Sequence, residues 1–175
     1  MTNWTTFETE APDLARAVAA RFEAHRHHVL ATLRKDGSPR VSGTEVGFYE
    51  DSLLIGSMAG ARKVLDLQRD PRFSLHSNPG HHSMDGGDAK IAGKAREVVG
   101  ERRKRIVDHW IADRSPDGPD GSDGSDGSDE GEVPAEAEAD VFELDLEEVV
   151  LTTVDENHMY IEFWRPGRGV RRFTK

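Results

Sequence analysis

His28-Val29-Leu30-Ala31-Thr32-Leu33-Arg34-Lys35-Asp36-Gly37-Ser38-Pro39-Arg40-Val41-Ser42 is a short apolar run, a polar turn and the start of a second run. Lys35-Asp36-Gly37-Ser38 has the chemistry of a hairpin turn, because glycine takes the left-handed backbone that a tight reversal needs. The return strand runs from Pro39 to Tyr49 and sets Val41, Gly43, Glu45 and Gly47 on one side. Glu50-Asp51-Ser52 then turns into a third strand, Leu53-Leu54-Ile55-Gly56. Strands joined by such short turns are antiparallel, since a parallel pair needs a crossover of roughly a dozen residues or more.

On the N-terminal side of this meander, Leu14, Val18 and Phe22 recur at helical spacing behind Pro12, predicting a helix that ends near His25. On the C-terminal side, Ala61, Val64, Leu65 and Gln68 change to the helical period, and Asp70-Pro71 closes that segment. Phe73 to His76 reads as a fourth strand and Ala89 to Val99 as a fifth, with a Gly/His/Pro-rich loop from Asn78 to Gly87 between them. Glu101 to Arg114 reads as a helix with Ile106, Val107, Trp110 and Ile111 inward. Val141 to Leu146, Val149 to Val154 and Met159 to Trp164 complete the sheet. The expected fold is mainly β, an antiparallel barrel with peripheral helices.

The chain has 175 residues, which suits one domain over 1–175. Its formal charge of -10 comes from one segment: Ser115 to Asp140 holds ten acids and no base, and the rest balances 23 acids with 23 bases. Net charge therefore speaks to solubility and says almost nothing about the ligand. Within that segment a Pro-Asp-Gly and Ser-Asp-Gly repeat has nothing apolar to bury and repels itself, so 115–139 is expected to be a disordered acidic insertion. The repeat matches neither the EF-hand nor the nine-residue calcium pattern.

Cysteine is absent, which excludes disulfides, thiolate metal sites, iron–sulfur clusters and cysteine nucleophiles. No apolar run reaches the roughly 18 residues that would span a bilayer, and no signal-peptide core is present, so a cytoplasmic protein without membrane or nucleic-acid partners is expected. His25, His27 and His28 cluster at a helix–strand junction and His81-His82 sit in a loop. Neighbouring histidines at a turn rarely converge on one ion, so no metal is expected.

The chemistry concentrates in Gly56-Ser57-Met58-Ala59-Gly60-Ala61-Arg62-Lys63. A strand ends, small residues and a hydroxyl follow, and two cations begin a helix. Ser57 can donate a hydrogen bond, Arg62 can grip a phosphate with two N–H groups, and Lys63 adds a point charge where helix-start amides favour the same anion. The other reading of Arg62 and Lys63 is as solvated surface charges. The glycine spacing is neither a Walker loop nor a dinucleotide fingerprint.

Leu30 to Ser42, Ser57 to Lys63, Leu67 to Leu75 and Trp164-Arg165-Pro166-Gly167-Arg168-Gly169-Val170-Arg171-Arg172 together resemble, in order and spacing, the pyridoxamine 5′-phosphate oxidase-like flavoproteins. The resemblance covers residues 25–100 and 141–173. It implies a split antiparallel β-barrel, the FMN-binding split barrel, that forms a homodimer with a cofactor in each of two clefts between subunits. Members bind FMN, the deazaflavin F420 or haem, and FMN is the expectation here because the adjacent Arg-Lys pair suits a compact phosphate. By position, Arg40, Val41 and Ser42 would lie along the flavin ring, mostly through backbone. Ser57, Arg62 and Lys63 would hold the phosphate, Met58 is a further cofactor-binding position, and Trp164 and a tail arginine such as Arg168 would approach from the partner. The expected activity is flavin-dependent oxidoreduction of a small molecule.

The tail departs from pyridoxamine phosphate oxidases proper, which carry Arg-Leu-His-Asp-Arg there; Gly167 to Arg172 contains no histidine, which argues against pyridoxamine phosphate as substrate. Trp164 has two readings, as core or as cofactor contact. His76, at a strand end near the expected cleft, is either a satisfied rim residue or a contact to flavin or haem. Trp110 reads as core. No side chain stands out as a catalytic acid or base, and a cofactor that carries the redox chemistry needs none. A non-catalytic flavin or haem carrier is the alternative class.

Overall fold

The computed structural model describes residues 1–80, 83–84, 86–113 and 139–175. The expected acidic insertion, apart from Ala139, lies outside the described residues, as do His81 and His82. The elements in chain order are α1 (Trp4–Glu10), α2 (Pro12–Glu23), β1 (His28–Leu33), β2 (Pro39–Tyr49), β3 (Ser52–Ser57), α3 (Arg62–Arg69), β4 (Arg72–His76), β5 (Asp88–Val98), α4 (Gly100–Asp113), β6 (Asp140–Val154), β7 (Met159–Arg165) and β8 (Gly169–Thr174). No helix among the described residues is long and apolar enough to cross a membrane.

The strands lie in the order β3-β2-β1-β4-β5-β6-β7-β8, and an additional β3–β6 pairing closes the first six into a barrel. Every pairing is antiparallel. Closure removes the free edges of those six strands, and β7 and β8 continue the sheet outward from β6. The split barrel expected from the sequence is the fold observed.

Local chemistry explains the pieces. In the first hairpin Gly37 has φ +83°, and Asp36 Oδ1 accepts from the Ser38 N–H at 3.0 Å and the Ser38 hydroxyl at 2.6 Å. That side chain mimics a backbone turn and fixes the reversal. Alternation then sorts the faces. Leu30, Leu53, Ile55, Leu75, Ile91, Phe142, Leu144 and Leu146 point into the barrel, where Phe7, Leu14, Val18 and Phe22 of α1 and α2 join the same core. The intervening Leu54, Val98 and Val141 point outward and pack under Ile106 and Val107 of α4. Trp110 of α4 lies over Gly47 and Gly56, where an added Cβ would come within 2.8 Å of its ring. Ile111, expected inward, is 43% exposed because it follows Trp110 around to the solvent side of the helix.

Three further differences from the sequence reading have physical causes. Helix α1 was not expected; Asn3 caps it, its Oδ1 accepting from the Thr6 N–H at 3.0 Å, and Trp4 and Phe7 are its only buried residues. The segments 141–146 and 149–154 form one strand, because the register shifts opposite Ala92 and Gly93 and takes the Glu147 region in as a bulge. Strand β8 arises from the polar tail, held by its ladder to β7 rather than by burial.

At the bulge, a Cβ on Gly93 would fall 1.9 Å from the Asp145 carbonyl oxygen. The obstacle is backbone and cannot rotate away. Gly93→Ala is expected to cost about 1–3 kcal/mol through forced displacement of the β5–β6 ladder, read as a lower urea midpoint; an unchanged midpoint would contradict the register described.

Candidate functional site

The junction between β3 and α3 brings together much of what the sequence singled out. Ser57 ends β3 directly opposite Asp140 of β6. The loop from Met58 to Ala61 closes on itself, with the Ala61 N–H donating to the Met58 carbonyl at 3.2 Å and Gly60 at φ +68°. The Gly60 N–H donates to Asp140 Oδ2 at 3.1 Å. Arg62 then opens α3 with an exposed side chain that makes no ion pair among the described residues. Lys63 reaches back to β2, its Nζ donating to the Gly43 carbonyl at 2.8 Å. Burial holds the Lys63 ammonium below its ordinary value, with Glu45 pulling it the other way. Lys63 therefore ties the start of α3 to β2 at Gly43, the residue after Arg40-Val41-Ser42. Beside them Val41 is 70% exposed and Met58 82% exposed, two apolar side chains with nothing of their own chain to cover them.

Arg40 itself is turned inward. Its Nε donates to Asp66 Oδ2 at 2.6 Å, and the same buried carboxylate accepts from the Thr32 hydroxyl at 3.0 Å and from Arg69 at 3.2 Å. The guanidinium is thus committed to α3. Burial pushes the Asp66 carboxyl up, but the hydrogen bonds from Arg40, Thr32 and Arg69 outweigh it and hold the group below its ordinary value of 3.8. A depressed carboxyl contributes stability that is fully present above the unfolded value and lost as pH falls through the folded one. Asp66→Asn is therefore expected to be less stable at neutral pH and to show a shallower acid limb below about pH 4, measured as urea midpoints against pH; an acid limb of unchanged steepness would contradict this.

Trp164, one of the expected cofactor contacts, lies in the core of its own chain. It is 0% exposed, its ring packs 4.6 Å from that of Phe7, and its Nε1–H donates to Glu10 Oε2 at 3.2 Å. Helix α1 covers it, so of its two readings the core reading holds. Glu10 also accepts from the Gly167 N–H at 3.0 Å, which pins the turn between β7 and β8. Arg168 stands exposed in that turn, its own N–H donating to the Arg165 carbonyl at 3.0 Å.

Among the described residues, the outer face of the barrel is covered by α4 over β3 and bare elsewhere. One cross-strand row runs Gly43, Val29, His76, Lys90, Val150, Phe163 and Arg171 through successive pairings. Val41, Val154, Met159 and Phe173 on the same side of the sheet are exposed. His76 has a protein acceptor on each ring nitrogen, the Ser77 carbonyl at 2.6 Å and Asp88 at 3.3 Å, and Asp88 also pairs with Lys90 at 2.7 Å. That is the satisfied-rim reading of His76. Of the N-terminal histidines, His28 is buried and accepts from the Asn78 N–H at 3.2 Å, while His27 faces Glu45. No group of potential metal ligands converges among the described residues.

The sequence profile of the pyridoxamine 5′-phosphate oxidase family matches residues 14–153. No curated protein is significantly similar in sequence. Among solved structures, PhzG from Burkholderia lata 383, in complex with tetrahydrophenazine-1-carboxylic acid, superposes with a TM-score of 0.62 at 15% identity, over 95% of this chain and 92% of that one. A pyridoxamine 5′-phosphate oxidase-related, FMN-binding protein from Nostoc punctiforme PCC 73102 gives 0.57 at 14% identity, over 94% and 95%. A nimc/nima family protein from Clostridium acetobutylicum gives 0.55 at 11% identity, over 97% of both chains. At these identities the likeness is one of fold.

Proposed function

The chain belongs to the pyridoxamine 5′-phosphate oxidase family, and from that premise we propose that two copies of it bind FMN between them and exchange hydride or electrons with a small molecule. The observation that carries this is Arg62, an exposed cation without an ion pair among the described residues, set beside Lys63 and Ser57 where β3 passes into α3. A flavin, when bound, supplies the redox chemistry.

The residues supply the rest. Arg62, Lys63 and Ser57 hold the phosphate through charge-assisted hydrogen bonds. The backbone of Arg40, Val41 and Ser42 lies along the ring, and Met58 covers its phosphate end. Exposed Val41, Val154, Met159 and Phe173 lie on the bare face that a second copy covers, burying apolar surface that a monomer leaves in water. Arg168 reaches the cofactor from that second copy. With no histidine between Gly167 and Arg172, the substrate is a small molecule other than pyridoxamine phosphate. A cytoplasmic setting fits a chain without cysteine.

The test is reconstitution with FMN, F420 and haem in separate samples, removal of unbound ligand, and a visible spectrum of what the protein retains. The two-band flavin spectrum at one FMN per chain is expected. Retention of haem or the deazaflavin alone would replace the cofactor, and retention of none would overturn the proposal. Bleaching of bound flavin by a nicotinamide donor then separates an enzyme from a carrier.

A further inference from the structure

Asp140 has no place in the function just proposed, yet its carboxylate sits among the groups proposed to take the phosphate. It lies directly opposite Ser57 in the β3–β6 ladder, where facing side chains have Cβ atoms about 4.5–5.5 Å apart. Its Oδ2 occupies the Gly60 N–H at 3.1 Å, a backbone donor in the loop immediately before Arg62 and Lys63. An anion entering this loop meets Arg62, Lys63 and the fixed Asp140 carboxylate, a net charge of about +1, because Glu45 beyond Lys63 is already paired with Arg26.

We infer that Asp140 is a specificity residue that loosens, without abolishing, the hold of this site on a doubly charged monoester such as FMN and so narrows its preference over a singly charged phosphodiester; the inference rests on the start of α3 being the phosphate site. A monoester such as FMN carries about -1.5 to -2 at neutral pH, so it leaves excess negative charge beside Asp140. A diester carries one charge and matches the site. A diester also needs room for its second substituent. Asp140 forms one wall of a recess of about 400 Å³ that Ala59, Val98, Gly100 and Arg103 continue. Arg103 at that recess donates to the Ala139 carbonyl at 2.8 Å, and Glu97 accepts from the Gln68 side chain at 3.1 Å.

The experiment compares FMN with riboflavin 5′-methyl phosphate, the same flavin with one charge fewer, by quenching of flavin fluorescence. Wild-type protein is expected to bind the methyl ester nearly as tightly as FMN. Asp140→Asn keeps an oxygen for the Gly60 N–H and removes the charge, and is expected to tighten FMN by about tenfold and the methyl ester by about threefold or less, as a charge–charge term near the surface scales with ligand charge. Asp140→Ala, checked for an unchanged melting temperature, should shift the two ligands in the same order. Equal shifts for both ligands, no shift, or weaker FMN binding in Asp140→Asn would overturn the inference. Those results leave the phosphate site standing if Arg62→Ala with Lys63→Ala still weakens FMN. Failure of both flavins to bind every variant would overturn the site and this inference together.

Discussion

Replacing Arg102 with alanine should lower stability by about 3 kcal/mol, the low end of what breaking a buried ion pair costs. Glu143 on β6 is only 2% exposed. Arg102 Nε donates to its Oε1 at 2.6 Å, and Arg96 from β5 takes the other oxygen. The Arg102 guanidinium also donates to Glu50 at 2.8 Å and lies 3.5 Å from Asp51, whose second oxygen accepts from the Asn3 side chain at 2.6 Å. One side chain therefore joins α4, the closing strand, the β2–β3 turn and the cap of α1. Without it a carboxylate buried in the barrel wall keeps a single, mostly solvated partner. At this chain length the loss corresponds to roughly 6–12 °C in Tm. Arg102→Lys should recover little, because an ammonium cannot reach three carboxylates at once. Glu143→Leu in the same background should recover stability, because an apolar residue removes the buried charge. A Tm within a degree of wild type for Arg102→Ala would show that the network is solvated and contributes nothing.

The second large effect concerns binding. Arg62→Ala combined with Lys63→Ala is expected to weaken FMN by about 2–4 kcal/mol, from two charge-assisted hydrogen bonds of about 1.5–3 each that do not add fully. That is about 30- to 1,000-fold in Kd. Riboflavin, which lacks the phosphate, should bind Arg62→Ala as it binds wild type. Because Arg62 is exposed, the difference should shrink as salt rises. Lys63 contributes twice, once to the anion and once by holding α3 against the Gly43 carbonyl, so its single variant should also disturb the ring end. An FMN affinity indifferent to both substitutions would place the phosphate elsewhere.

The meander was legible because short apolar runs and the Asp36-Gly37-Ser38 turn are local signals, and an antiparallel sheet follows from them. Helix α1 was not, because seven residues with two buried aromatics carry no repeat to detect. Its absence from the reading is what left Trp164 undecided. The element that covers that indole lies 154 positions away in the chain, and no local pattern reports such a contact. The Arg62-Lys63 pair was legible as chemistry at a strand–helix junction. Asp140 was not, since in sequence it is the last acid of a long acidic run, and only the β3–β6 closure sets it against Ser57. Asp66 likewise reads as a helix-surface acid until the fold turns Arg40 and Thr32 onto it.

The most direct test of a phosphate-anchored flavin shared by two copies is sedimentation of the purified chain with FMN, followed at the flavin absorbance. The account predicts a single boundary at the mass of two chains, carrying two FMN. A boundary at the mass of one chain, with the flavin absorbance left unsedimented, would contradict it.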